Sequence, residues 1–437
     1  MITSPWRNHF FGTDTYMKTI LGYIPRVYMN NAATPQISKV VVKKVESILH
    51  HYTYHNEQNH LSEQIQTTYN NVRNIIIDYI GGDSKLDSVV YTDTTTSALN
   101  LLSHIALQDD PDQVIITTRM DHMSNYLPFR IRFKTLLVRL TPDGNIDMNH
   151  YEDLLIKYQG KVKLVTAIAA SNITGIVTPY YKMAYLAHKY GAKILLDAVQ
   201  LVQHKPFSMK SHSDPEHIDF ISFDGHKCYT GQSGGVLIGP KDFLDKYHPM
   251  TYGAGVTHFV NDEKYILKDS PLSHEAGYPD FMGIISFGEA LSFLKGIGLK
   301  NISDYEDMLY GYLIKELKEI PGIVIYASQQ NTSNLPYVSF NMDSISYKKL
   351  GSILGFQFGL TVTAGFSGAD IYVQDLLGLS NAEAYELFKS GEGYGVVRAS
   401  LAAFNSMEDI DRLISALKII SSTIMTTSSA DRFFLPT

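Results

Sequence analysis

Lys227 lies in DGHKCYTGQSGG, residues 224–235, directly after the apolar run DFISFD. An amine buried at such a place can have a lowered pKa and attack a carbonyl, and the glycines around it let backbone approach a ligand closely. The bland alternative is a solvated loop charge. Asp197 ends another apolar run, KILLDAV, 30 residues earlier, with Gln200 three residues on. A carboxylate there needs a partner or water. It reads either as a helix cap or as the partner of a protonated heterocyclic nitrogen, which would make that ring an electron sink. Thr94, Thr95 and Thr96 follow SVVYT and open a helix. Free N–H groups, the helix dipole and the hydroxyls make that terminus a candidate anion site. Threonine is equally an ordinary cap at such a position.

Open parallel α/β sheets bind ligands beyond the carboxyl ends of their strands, where these three groups would lie. The chain has the pattern for such a sheet. Short apolar runs (88–92, 114–118, 134–140, 162–171, 193–199, 219–224 and 234–239) alternate with helical periodicity from about Thr96, near 150–158 and at 180–190. Runs of four to eight apolar residues separated by helices mark a mostly parallel sheet covered on both faces. Before them, Ser38–His50 and Tyr69–Ile80 repeat apolar residues at helical spacing. After about residue 290 the texture changes to that of a smaller α+β domain. The expected division is an arm at 1–27, read as irregular and packing with the small domain, then a large domain at 28–290. A small domain at 291–424 and a tail at 425–437 complete it.

Composition narrows the function classes. The chain has 437 residues, 44% hydrophobic and 19% charged, with a net charge of −7 spread along it. That is a soluble globular composition, and the absence of a basic run gives nucleic-acid binding no support. No segment has the length and apolarity of a membrane span. The opening MITSPWRNHFFGTD has no basic-then-apolar pattern, so a cytoplasmic location is expected. One cysteine, Cys228, excludes an intrachain disulfide and a multi-cysteine metal site, and no other metal-ligand spacing stands out.

Seven segments carry a family resemblance: VYMNNAATPQ (27–36), YTDTTTSALNLL (91–102), MDHMSNYLPF (120–129), ASNITGIVTP (170–179), LDAVQ (196–200), FDGHKCYTGQSGG (223–235) and VVRASLAAFNSMEDIDRL (396–413). In that order they resemble motifs of class V aminotransferase-fold enzymes, in particular the cysteine desulfurase and selenocysteine lyase group. The resemblance implies an α/β PLP-dependent type I fold, aspartate aminotransferase-like, and a homodimer. It implies pyridoxal 5′-phosphate (PLP) held as a Schiff base on Lys227, which would later move a Cα proton. Asp197 would pair with the pyridine nitrogen, Gln200 would meet the phenolic oxygen, and His122 would stack on the ring. Asn172 would lie at the cofactor or substrate edge. Thr95, Thr96 and His226 would hold the phosphate, and Arg398 would clamp a substrate α-carboxylate, a task guanidinium geometry suits.

Departures from the family pattern refine the expectation. Asp224 stands where the family has serine. A carboxylate there would repel phosphate, so it is expected to point elsewhere, with Ser222 or another group compensating. Tyr278 replaces a threonine that reaches a phosphate across the dimer. In GLTVTAGFSGADIYVQDLLGLS (359–380), the sulfur-accepting cysteine position falls on Gly368 and a preceding arginine position on Thr363. The expected activity is therefore a PLP-dependent lyase or transferase acting on an L-α-amino acid, foremost by C–S β-elimination from cysteine or a derivative. Cysteine desulfurase, selenocysteine lyase, aminotransferase and epimerase chemistry are the alternatives. A catalytically inactive PLP-fold binding protein is the non-enzyme alternative.

Overall fold

Apolar runs without charges can be strands only where both sheet faces are covered, and the chain supplies that cover. A computed structural model describes residues 3–20, 22–50, 52, 58–232, 234–326 and 334–427. Seven strands form one sheet in the spatial order Asp87–Thr92, Gly235–Pro240, Phe220–Asp224, Lys193–Asp197, Val162–Ile168, Val114–Thr118 and Lys134–Val138. Neighbours are parallel except Gly235–Pro240, which runs antiparallel to both strands beside it. The pleat sends alternate side chains to opposite faces. Val90, Ile115, Leu195, Phe220 and Leu237 join helix Thr95–Asp109 in one apolar cluster. Val89, Ile116, Ile194, Ile221 and Val236 join the larger cluster on the other face.

A second sheet orders Ile323–Ile325, Tyr337–Met342, Val396–Ser400 and Thr363–Gly365, all antiparallel. It shares a separate core with helices Leu299–Lys318, Tyr347–Phe356 and Met407–Thr427, centred on Leu313, Phe340, Leu350, Val397 and Leu417. The N-terminal segment is more regular than its composition suggests. It folds a hairpin of Tyr16–Thr19 with Gly22–Pro25, and Val27–Tyr28 pairs in parallel with Leu360–Thr361. Arg7 forms an ion pair with Asp409 at 3.1 Å. Of the expected tail, residues 428–437 lie outside the described residues.

One row across the large sheet matters most for the site. Thr92 faces Gly235, which in turn faces Asp224. The antiparallel strand between them restores a common direction, so the loops after Thr92 and after Asp224 leave the sheet on the same side.

Candidate active site

A cavity of about 400 Å³ opens at these strand ends. It brings together Thr95, Thr96, His122, Asn172, Asp197, Gln200, His226, Lys227 and Arg398, nine residues singled out from sequence. Ala32, Ala33, Ser124, Thr363 and Ser367 also line it, and were not singled out as pocket residues. The NNAATPQ segment was the available signal for the two alanines, whose contribution is backbone carbonyl.

Lys227 ends the short 3₁₀ turn Gly225–Lys227 that follows strand Phe220–Asp224. Its Nζ donates to the Ala32 carbonyl at 2.9 Å and also to that of Ala33. Burial and then the nearby Arg398 charge lower the amine to about 8, while Asp224 and Asp197 oppose them. A sizeable uncharged fraction near neutral pH is what a nucleophilic or basic lysine requires. Asp197 ends strand Lys193–Asp197 and accepts the Val199 N–H at 3.2 Å. Burial pushes its carboxyl up to about 7.

His122 caps helix Met123–Arg130, its Nδ1 accepting the Ser124 N–H at 3.1 Å. The proton of the neutral ring is thereby assigned to Nε2. Burial lowers its pKa to about 4, with the Lys227 and Arg398 charges adding to the effect. Neutral imidazole is the form available to pack flat against an aromatic ring.

At the other end of the cavity, Thr94 caps helix Thr95–Asp109 by accepting the Ser97 N–H. Gly235 permits the approach: a Cβ on it would lie 2.2 Å from the Thr94 carbonyl carbon. Thr96 Oγ1 donates to Ser124 Oγ at 2.8 Å, and Thr95 Oγ1 is buried without a partner. Asp224 does not point away, contrary to expectation. Its Oδ2 accepts the Thr95 N–H at 3.1 Å, and its Oδ1 accepts the His226 N–H at 2.9 Å and lies 2.7 Å from His226 Nδ1. Burial pushes its carboxyl up, but the His226 and Thr95 contacts outweigh it and hold the group below the usual carboxylate range. Ser222 is not brought to the cavity. It sits one pleat repeat back from the strand end, buried, and its Oγ donates to the Val236 carbonyl at 2.8 Å.

Arg398 reaches the cavity from the second sheet and is 1% exposed. It donates to the Asn172 carbonyl at 2.6 Å, to Asn30 Oδ1 at 3.2 Å and to Thr363 Oγ1 at 3.3 Å, while its Nε has no partner. Burial lowers its pKa to about 10, so it stays charged. The Asn172 amide donates to the Ser367 carbonyl at 2.9 Å and its Oδ1 is buried without a partner.

The loop around Gly368 closes on this side. Gly368 has φ +72°, its carbonyl accepts the Met123 N–H at 2.7 Å, and a Cβ there would lie 2.2 Å from His122 Nε2. Cys228 is fully buried, and burial pushes its thiol up, as the Asp224 charge does further. Tyr278 is exposed and its hydroxyl meets that of Tyr52.

The class V aminotransferase family profile matches residues 27–413. The chain belongs to the class V aminotransferase family. It is 29% identical over 402 residues to a cysteine desulfurase of Haloferax volcanii, covering 90% of this chain and 89% of that protein. It is likewise 29% identical over 411 residues to one of Escherichia fergusonii, covering 91% and 94%. The apo structure of a cysteine desulfurase from Thermococcus onnurineus superposes with a TM-score of 0.81 at 25% identity, covering 91% of this chain and 95% of that one. The fold is the PLP-dependent class V aminotransferase fold, and the protein is a PLP-dependent enzyme.

The residues present fit that cofactor. A lysine amine of lowered pKa, a buried carboxyl group, a helix N-terminus with hydroxyls and the orphaned Thr95 Oγ1 meet in one cavity. PLP supplies an electron sink for charge that develops at the Cα of an amino acid.

Proposed function

We propose that this enzyme cleaves a β-carbon–sulfur bond of L-cysteine or a cysteine derivative by elimination. The residues divide the work. Arg398, with donors left over, takes the substrate carboxylate. Lys227 would hold the cofactor, and its amine, once free, would take the Cα proton. Asp197 would hold a proton at the pyridine nitrogen, and His122 would pack on the ring. The electron pair from the Cα–H bond forms a double bond to Cβ, and sulfur leaves with the C–S pair as thiol or sulfide. Hydrolysis of the remaining enamine yields pyruvate and ammonia, so that cysteine and water give pyruvate, ammonia and hydrogen sulfide.

The observation that carries this reading is at Gly368. The position that family likeness aligns with the acceptor cysteine is a glycine with no thiol, and His122 fills the space a side chain would need. The one cysteine of the chain is sealed in the core with its thiol protonated, and thiolate is the nucleophile in sulfur transfer. Sulfur therefore leaves as a small molecule. The same reading makes the working unit a homodimer. Its support is an exposed apolar surface around the hairpin Thr257–Val260 and Tyr265–Leu267, with Tyr252, Phe259, Val260, Ile266 and Tyr278 each more than 40% exposed.

The test is a product assay on L-cysteine, cysteine conjugates and keto-acid acceptors. Pyruvate and sulfide in equal amounts are expected. Alanine formed with enzyme-bound persulfide would replace the proposal with a desulfurase, and amino-group transfer to keto acids with an aminotransferase.

A further inference from the structure

A chain of buried side chains runs from a helix of the second core to the cavity. Glu306, on helix Leu299–Lys318, holds His204 Nδ1 between its carboxylate oxygens at 2.8 and 3.0 Å. His204 Nε2 lies 2.6 Å from the Tyr337 hydroxyl, which lies 3.0 Å from Gln200 Oε1. Gln200 Nε2 donates to the Ala32 carbonyl at 3.0 Å, the same oxygen that accepts Lys227 Nζ. All four side chains are buried, Glu306 and Tyr337 completely. Tyr337 belongs to the second sheet, whereas Gln200 and His204 follow a strand of the first.

The direction of this chain follows from proton inventory. A backbone carbonyl only accepts, so Ala32 turns the Gln200 NH₂ toward itself and the Gln200 oxygen toward Tyr337. Tyr337 has a single hydroxyl proton and donates it to Gln200. His204 Nε2 must then carry a proton to donate to Tyr337. With Nε2 protonated, the contact between Nδ1 and Glu306 holds one further proton, on either partner, and the pair is neutral overall. Burial pushes Glu306 up, with His204 opposing, in keeping with a pair that retains its proton. Were the pair to lose that proton, Nε2 could accept from Tyr337, and Gln200 Oε1 would face an oxygen lone pair.

We propose that Glu306, His204 and Tyr337 are positioning residues that fix the Gln200 amide with an N–H toward the cofactor's phenolic oxygen. This rests on Gln200 meeting that oxygen, a role suggested by the family pattern and by its place in the cavity wall. The device joins the two sheets, because the hydroxyl that orients Gln200 arrives on a strand of the other core.

The experiment compares purified holoenzymes by the visible absorbance of lysine-bound cofactor, its pH titration and cofactor dissociation constants. Tyr337→Phe is expected to shift the band and its titration midpoint and to weaken cofactor binding about threefold to tenfold, the range for one hydrogen bond. Gln200→Met is expected to do the same. The double variant is expected to match Gln200→Met alone, since residues acting through one contact are not additive. Glu306→Gln is expected to keep the parental band, because its amide N–H can donate to Nδ1 and leave the proton on Nε2. An unaltered band in Tyr337→Phe beside an altered one in Gln200→Met overturns the relay alone. Additive effects in the double variant overturn it as well. An unaltered band in Gln200→Met removes the Gln200 role, and the proposal with it.

Discussion

Asp197 and Asp224 end neighbouring strands of one sheet, both buried, yet their proton affinities move in opposite directions. Asp197 accepts one backbone N–H and has Asp121 as a destabilising neighbour. Asp224 accepts a helix-terminal N–H, the N–H of His226 and the His226 ring. Burial raises both carboxyls, and the number of donors decides which keeps its proton. The cavity thus has a proton-holding end and an ionised end, with Lys227 between carboxyl groups that each raise its pKa when charged.

Removing the group between them should have the largest effect. Lys227→Ala is expected to abolish cofactor fixed to protein by borohydride, read by mass, and to lower turnover by about 10,000-fold, the upper range for a proton-transfer group. Asp197→Asn should leave cofactor bound but slow every reaction through Cα charge by about 100-fold to 1,000-fold, as for a preorganised electrostatic group. Single-turnover absorbance would check it, and unaltered rates would place the proton elsewhere. Arg398→Lys should raise KM for amino acids about tenfold to a hundredfold, since hydrogen bonds to charged groups are worth roughly 1.5–3 kcal/mol. Decarboxylated amines should bind both forms alike.

The smaller effects probe the comparison itself. Capture of PLP by apoprotein needs the uncharged amine, so its rate should rise with pH and be half-maximal near pH 8, where Lys227 loses its proton. Asp197 raises that pKa, so in Asp197→Asn the midpoint should move to lower pH; stopped-flow absorbance reads both. Asp224→Ser frees the Thr95 N–H and removes a like charge, and should tighten PLP binding about threefold to tenfold, one hydrogen bond's worth. Weaker binding would mean the carboxylate serves the phosphate through His226. Cys228→Ser should change turnover least, its hydroxyl costing about 1 kcal/mol of stability in a buried site, with no added sulfur on that peptide after exposure to cysteine.

The large sheet was legible because its strands are uninterrupted apolar runs: VIITT is Val114–Thr118, and KILLD is Lys193–Asp197. Helix Phe281–Ile297 escaped notice since it is apolar nearly all round and has no amphipathic period to read. Helix Met123–Arg130 carries Pro128, an ordinary breaker signal, and the hairpin at 257–267 is largely exposed, with no core pattern. At the site, Lys227, Asp197 and the threonines announced themselves as polar residues at strand ends. Arg398, His122 and Asn172 were legible only through family likeness, because the distances that join them to the cavity span the whole chain. Asp224 was misread because an isolated carboxylate repels phosphate, whereas this one accepts the N–H groups of a helix terminus and of His226, contacts that sequence alone does not place.

The positive φ at Gly368, with the His122 ring pressed where a side chain would begin, also bears on how this protein could change over generations. A cysteine introduced at 368 meets both a strained backbone and an occupied space, so the residue at 122 or the loop has to give way as well. A single change to cysteine at 368 therefore starts from a crowded and strained position. Any descendant with a side chain at 368 has first to move the His122 ring or reshape this loop.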